Sequence, residues 1–251
     1  MNEKCGRSVL AKTILMPSPQ LVVALDVPDP ARSVALVERL APLGVIFKIG
    51  YEAYYGYGQA IKKALRSHDA SYALDLKLHD IPRTVEAAVH AIVEPGVRLI
   101  TVHALGGAAM LEAAVQAAHE QAVTRSMPVP DVYAVTVLTS LAVEDLGELG
   151  LSGGPGENAI RLAALARDAR CAGVVCSVRE VPQIKSFFGT EFGTFCPGIR
   201  PIGSAHGDQK RAATPREARE ACADYVVVGR PIVDDADPVG AARAILEELG
   251  A

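Results

Sequence analysis

Eight short apolar runs, few of them alternating, are each followed by a stretch of helical period, and this order predicts an α/β fold: a single-domain (β/α)8 TIM barrel. A strand covered on both faces by helices reads as a continuous apolar run, whereas a half-solvated strand alternates. Strict β–α alternation repeated eight times closes a parallel sheet on itself. The length, 251 residues, is one that such barrels commonly take. The open doubly wound sheet is the competing architecture, but no Gly-x-Gly-x-x-Gly follows the first run. No composition break divides the chain, so residues 21–251 are assigned to the barrel and residues 1–20 to an N-terminal extension.

The first run, Leu21 to Leu25, ends in Asp26, after which Val34, Val37 and Ala41 share a helical face. Val45 to Ile49, interrupted by Lys48, is the second, with helix-like sequence from Glu52 to His68. The third, Ser71 to Lys77, leads to a helix from about Pro82 to Val93. Arg98 to Val102 ends at His103, and Gly106-Gly107 opens the next helix. Val132 to Leu138 ends at Thr139-Ser140. A polar, glycine-rich passage from about Leu146 to Gly156 reads as a mobile loop or a short helix plus loop, and a helix follows from Asn158 to Ala169. Gly173 to Cys176, with a helix after Arg179, is the sixth run; Gly193 to Cys196 is the seventh. Pro197-Gly198-Ile199-Arg200 and a polar loop over 201–213 come next, and Thr214-Pro215 has the N-cap and first-position chemistry of a helix start. Tyr225 to Val228 is the eighth run, ending in Gly229-Arg230-Pro231. The last helix, Pro238 to Leu249, sets Val239, Ala242, Ile245, Leu246 and Leu249 on one face.

A net charge of −4 and no basic run longer than two residues disfavour nucleic acid and membrane surfaces as partners. No apolar stretch approaches the ~20 residues of a membrane span, and the first twenty residues lack a secretory-signal pattern. Five cysteines, odd in number and without Cys-x-x-Cys, suit free thiols in a reducing cytoplasm. Six scattered histidines offer no zinc motif, so no metal site is expected.

The chemistry is expected at the C-terminal ends of the strands. Asp75-Leu76-Lys77-Leu78-His79-Asp80 closes the third run with three charges in six residues. Strand alternation turns Asp75 and Lys77 one way and Leu74, Leu76 and Leu78 the other. Flanking carboxylates favour the ammonium form of a lysine that can then give up a proton. Asp26 closes the first run and Lys48 lies near the end of the second, so a row of Asp26, Lys48, Asp75 and Lys77 is expected on one rim. Charges that deep must pair or change protonation state. The same residues also fit a structural network, with Asp75–Lys77 an ion pair and Asp80 a helix N-cap.

A second cluster follows the seventh and eighth runs, where barrels often bind phosphate. Arg200 and Arg230 put a guanidinium on each lip, with Gln209 in the loop between and Gly229 offering an approachable amide. Solvated surface arginines are the alternative. His103 reads as a hydrogen-bonded structural residue rather than a catalytic one, Cys176 and Cys196 as core fillers. Thr139-Ser140 suits either a polar ligand edge or a loop cap.

Asp75-Leu76-Lys77-Leu78-His79-Asp80-Ile81-Pro82-Arg83-Thr84 is similar to the signature of the orotidine 5′-phosphate decarboxylase family. Ala24-Leu25-Asp26, Phe47-Lys48-Ile49-Gly50, Val102-His103-Ala104, Leu138-Thr139-Ser140, Val174-Val175-Cys176-Ser177, Pro197-Gly198-Ile199-Arg200, Asp208-Gln209 and Val228-Gly229-Arg230 follow in the matching order, over about residues 21–245. The resemblance implies decarboxylation of orotidine 5′-phosphate to UMP in de novo pyrimidine biosynthesis, with no metal or cofactor. It implies that Lys77 protonates C6 of the pyrimidine, that Asp75 sits by the leaving carboxylate, and that Lys48 and Asp26 hold the ribose. Thr139 and Ser140 would face the base, and Arg200, Gln209, Gly229 and Arg230 the phosphate. Asp80 and Thr84 would reach into the neighbouring site of a homodimer. Cys196 and Arg170-Cys171 depart from the family's usual residues without touching these roles.

A carbanion in the ring plane cannot delocalise into the π system, and the sequence holds no thiamine, pyridoxal or metal motif to act as electron sink. A preorganised ammonium is the remaining stabiliser, and the site must lower the barrier by close to the upper end of roughly 8–23 kcal/mol. The loop after Arg200 is the expected lid. The rivals are a metal-dependent phosphosugar barrel enzyme, of the hexulose-phosphate synthase or keto-gulonate phosphate decarboxylase type, and a non-catalytic UMP-binding barrel.

Overall fold

The protein, seen in a computed structural model that describes residues 18–202 and 211–251, is a closed barrel of eight parallel strands in sequence order, β1 pairing with β8. The strands are β1 Gln20–Ala24, β2 Ile46–Ile49, β3 Tyr72–Leu78, β4 Val97–His103, β5 Asp131–Val135, β6 Gly173–Val175, β7 Gly193–Cys196 and β8 Tyr225–Val228. The helices are α1 Pro30–Leu40, α2 Tyr51–Ser67, α3 Pro82–Ile92, α4 Ala108–Thr124, α5 Val143–Glu148, α6 Pro155–Asp168, α7 Val181–Phe188, α8 Pro215–Glu220, α9 Arg230–Val233 and α10 Pro238–Leu249. The predicted architecture is the observed one. Among the described residues no helix is long and apolar enough to cross a membrane.

Strand parity sorts each apolar run into two cores. Leu21, Val23, Phe47, Ile49, Leu74, Val226 and Val228 face outward and pack under the helices. Val22, Ala24, Ile46, Ala73, Leu99, Tyr133, Val175, Phe195 and Val227 fill the barrel. Tyr133, Phe195 and Tyr225 pack edge-on or tilted near the strands' N-terminal ends. Gly173 and Gly193 make room for them, since a Cβ on Gly193 would overlap the Tyr133 hydroxyl. That end is therefore filled, and the inward row of each strand runs up to polar residues at the other: Val22, Ala24, Asp26 from β1; Ile46, Lys48 from β2; Ala73, Asp75 from β3; Leu99, Thr101 from β4.

Helix starts follow the expected chemistry. Thr214 Oγ1 accepts from Glu217 N–H at 3.1 Å, with Pro215 at the first helical position. The passage after β5 is a short helix plus loop, α5 and then the turn into α6.

Two local expectations change, those for Asp80 and Thr139-Ser140, and β3 departs from regular geometry without losing its parity. β3 is not regular to its end: between its pairings Leu74–Ile100 and Leu78–Val102 it spends four residues against two, and Lys77 takes φ 42. The expected parity nonetheless holds: Asp75 and Lys77 turn to the barrel mouth, while Leu74, Leu76 and Leu78 pack outward under the helices. Asp80 is not the N-cap of α3. Ile81 holds that place, and the Asp80 carboxylate accepts from the Ile81 N–H at 2.6 Å. β5 leaves the sheet at Val135, so Thr139-Ser140 stands in the loop beyond it rather than at the strand end. The expected extension up to residue 17, the candidate Gln209 and most of the expected lid fall outside the described residues.

Candidate active site

A cavity of about 710 Å³ opens at the C-terminal ends of the strands. It is lined by Asp26, Lys48, Asp75, Lys77, Thr139, Ser140, Arg200, Gly229 and Arg230, together with an apolar wall that includes Val135, Val175, Phe195 and Val227. Nine of the twelve candidate residues thus converge on one space.

The charged row is continuous. Lys48 Nζ lies 3.2 Å from both carboxylate oxygens of Asp26 and 3.4 Å from Asp75 Oδ2. Lys77 Nζ donates to Asp75 Oδ1 at 2.8 Å. Lys48 and Asp75 are 7% and 8% exposed, so neither charge could persist there alone. Burial by itself would lower the Lys48 amine, but Asp75 and Asp26 outweigh it and raise its pKa. Burial would likewise raise the Asp75 carboxyl, but Lys48, Lys77 and the Thr101 hydroxyl hold it below the usual carboxylate range. The row is a fixed alternation of carboxylate and ammonium with its outer end, Asp26, half exposed.

Two residues that frame this row were not picked out from the sequence. Thr101, wholly buried on β4, donates to Asp75 Oδ1 at 3.0 Å and accepts from the Lys77 N–H at 2.9 Å. It anchors the backbone of Lys77 in the left-handed region, where an L residue is disfavoured by roughly 1–2 kcal/mol. Its signal was present: a hydroxyl of inward parity inside an apolar run. Gly50 follows β2, and a Cβ there would lie 2.7 Å from Asp26 Oδ1 and 3.1 Å from Lys48 Nζ. A bare backbone lets those two side chains meet.

The lips after β7 and β8 carry the guanidiniums. Arg200 is buried and lies beyond Gly198, which takes φ 79 to turn the chain. The Arg200 N–H donates to Ala213 O at 2.8 Å and the Ala213 N–H to Gly198 O at 3.2 Å, pinning this lip to the chain ahead of α8. Arg230 opens α9 directly after Gly229. Asp80 and Thr84 do not line the cavity; both are exposed on its outer rim. His103 accepts at Nδ1 from the Leu105 N–H at 3.4 Å and stacks on His79. Burial, with His79 and Lys77 nearby, lowers its imidazole to about 4, so it is neutral at pH 7 and holds a turn. Cys176 and Cys196 are buried as expected, and Cys176 also touches the cavity. Among the described residues, no three His, Cys, Asp or Glu side chains converge as metal ligands.

Such a site can hold an anion at the β7–β8 lips and present an ammonium, backed by an ionised carboxylate, to a group reaching toward β3. The family model for orotidine 5′-phosphate decarboxylase / HUMPS matches residues 19–245. The orotidine 5′-phosphate decarboxylase of Moorella thermoacetica is 46% identical over 231 residues, 92% of each chain. That of Paramagnetospirillum magneticum is 45% identical over 228 residues, 91% of this chain and 97% of the other. The crystal structure of orotidine 5′-phosphate decarboxylase from Lactobacillus acidophilus is similar with a TM-score of 0.80 at 34% identity, over 94% of this chain and 100% of that one. By its residues, its barrel and these similarities, the chain belongs to the orotidine 5′-phosphate decarboxylase / HUMPS family.

Proposed function

We propose that this chain decarboxylates orotidine 5′-phosphate to UMP and CO2 in pyrimidine biosynthesis, without metal or organic cofactor. The observation that carries the reading is one cavity lined both by the buried row Lys48–Asp75–Lys77 and by Arg200 and Arg230. Relatives bearing that activity in their names, at about 45% identity, support it.

In this reading phosphate at Arg200, Gln209, Gly229 and Arg230 places the pyrimidine against Thr139 and Ser140, and Lys48 and Asp26 hold the ribose. Asp75 faces the substrate carboxylate. Its ionisation, enforced by Lys48 and Lys77, disfavours a second anion beside it in the ground state. The C6–carboxylate bond breaks, CO2 leaves, and the electron pair stays on C6. The Lys77 ammonium, already in place, stabilises that pair and then gives its proton to C6. Binding energy from the distant phosphate contributes to the barrier reduction.

The functional unit in this proposal is a homodimer in which Asp80 and Thr84 complete the partner's site; their exposure on the rim suits that role. The catalytic domain in this reading runs from β1 to the C-terminal helix and takes in Gln20, which pairs with Tyr225, one residue ahead of the expected boundary at 21. A cytoplasmic location suits the free thiols of Cys171, Cys176, Cys196 and Cys222.

The test is the ultraviolet spectrum of orotidine 5′-phosphate mixed with the purified protein in EDTA. A fall toward the UMP spectrum is expected. An unchanged spectrum with UMP still bound would move the chain to a non-catalytic sensor or to a metal-dependent phosphosugar relative.

A further inference from the structure

One buried ion pair outside the substrate site ties three of the barrel's lips together. Glu180, after β6, and Arg211, ahead of α8, are paired and buried, with side chains 6% and 10% exposed. Neither lines the cavity. Their remaining bonds go to its walls. Arg211 Nη2 donates to the carbonyls of Val137, at 3.0 Å, and Leu138, at 3.3 Å, immediately before Thr139-Ser140. Glu180 Oε2 accepts from the Ser177 N–H at 2.6 Å, next to Cys176. Two residues beyond Arg211, Ala213 is paired with the backbone of Gly198 and Arg200.

We infer that Glu180 and Arg211 are positioning residues that fix the Thr139–Ser140 lip against the Arg200 lip, so that the base-facing and phosphate-facing walls move as one. The inference rests on the decarboxylase reading for what each wall faces. A buried ion pair is weak as a stabiliser, because desolvation offsets its attraction and apolar residues of similar size often serve as well. Apolar residues cannot supply a donor to the Val137 carbonyl, which has left the sheet after β5, or hold the Leu138 carbonyl, which also accepts from the Leu141 N–H at 3.0 Å, in the same grip. A lysine at 211 could keep the charge but not the planar fork that reaches Glu180 and both carbonyls at once.

Removing one partner would strand a buried charge, so two variants are used: Arg211→Lys, and the paired replacement Glu180→Gln/Arg211→Met. Each is compared with the wild type for kcat and KM on orotidine 5′-phosphate, thermal midpoint, and amide hydrogen exchange. The expected result for Arg211→Lys is a midpoint close to wild type, kcat lower by roughly 100-fold, as displaced catalytic geometry commonly gives, and faster exchange confined to residues 138–142. Wild-type kcat and exchange in folded Arg211→Lys would overturn the inference. So would faster exchange spread evenly through β1 to β4, which marks a general stability role. If Arg211→Lys does not fold, the paired variant decides by the same criteria. A wild type inactive on orotidine 5′-phosphate, with exchange at 138–142 still raised by Arg211→Lys, would leave the coupling standing and sink the decarboxylase reading instead.

Discussion

Replacing Thr101 with valine would remove one hydroxyl from beneath the charged row and keep the branched shape. Two bonds disappear. One is the donation to Asp75 Oδ1 at 3.0 Å, the other the acceptance from the Lys77 N–H at 2.9 Å. A hydrogen bond to an ionised group is worth about 1.5–3 kcal/mol, and a buried amide left without its acceptor costs about 1–3 kcal/mol. Lys77 holds φ 42 partly through that amide, so its backbone would relax, recovering some of the loss but carrying the ammonium off its position. The net expectation is a loss of about 3 kcal/mol, which lowers Tm by roughly 6–12 °C for a chain of this size, with kcat down by about 100-fold. Thermal unfolding followed by circular dichroism at pH 7, with the decarboxylation assay, reads both. Thr101→Ser keeps the hydroxyl and should stay near wild type. Thr101→Val with wild-type Tm and kcat would refute the anchoring role, and Thr101→Ser as poor as the valine variant would place the effect in packing.

Lys77→Ala should abolish turnover and leave UMP binding measurable by calorimetry; near-normal kcat would remove Lys77 from its role as proton donor. Arg230→Ala should weaken UMP binding by about 10- to 100-fold, the worth of a charge-assisted bond, while binding of uridine stays the same. Equal loss for both ligands would take Arg230 away from the phosphate. Asp75 has a folded pKa below its unfolded one. Its contribution is therefore present above the unfolded value of about 4 and is lost as pH falls toward the folded value. Asp75→Asn should flatten that part of the stability curve, and an unchanged acid limb would mean that other carboxylates dominate it.

Much of the site was legible because parity and charge act over short distances. Asp26, Lys48 and Asp75 fall at or near the ends of apolar runs, and a charge at an inward position of a barrel strand has nowhere to go but the mouth. Arg200 and Arg230 follow the same logic at β7 and β8. Less legible were residues whose role depends on what lies across the barrel. Thr101 reads as an ordinary strand threonine until β3 lies beside it. Glu180 and Arg211 are 31 residues apart, and no local pattern pairs them. Asp80 illustrates the reverse error, since a carboxylate before Ile-Pro looks like a cap, yet it is Ile81 that takes the cap position.

The sequence by itself determined the eightfold β–α order, the closed barrel and the identity of the charged row, because these follow from periodicity and from the strong cost of burying a lone charge. The tertiary structure decided how those charges meet. Only Thr101 on β4 holds the Lys77 backbone at its irregular position beside Asp75, only the bare backbone of Gly50 lets Lys48 reach Asp26, and only packing across β5, β6 and the chain before α8 joins Arg211 to Glu180. Each of these depends on a backbone departure or a long-range contact whose energy is set by neighbours distant in sequence, and such neighbours leave no trace in a local pattern.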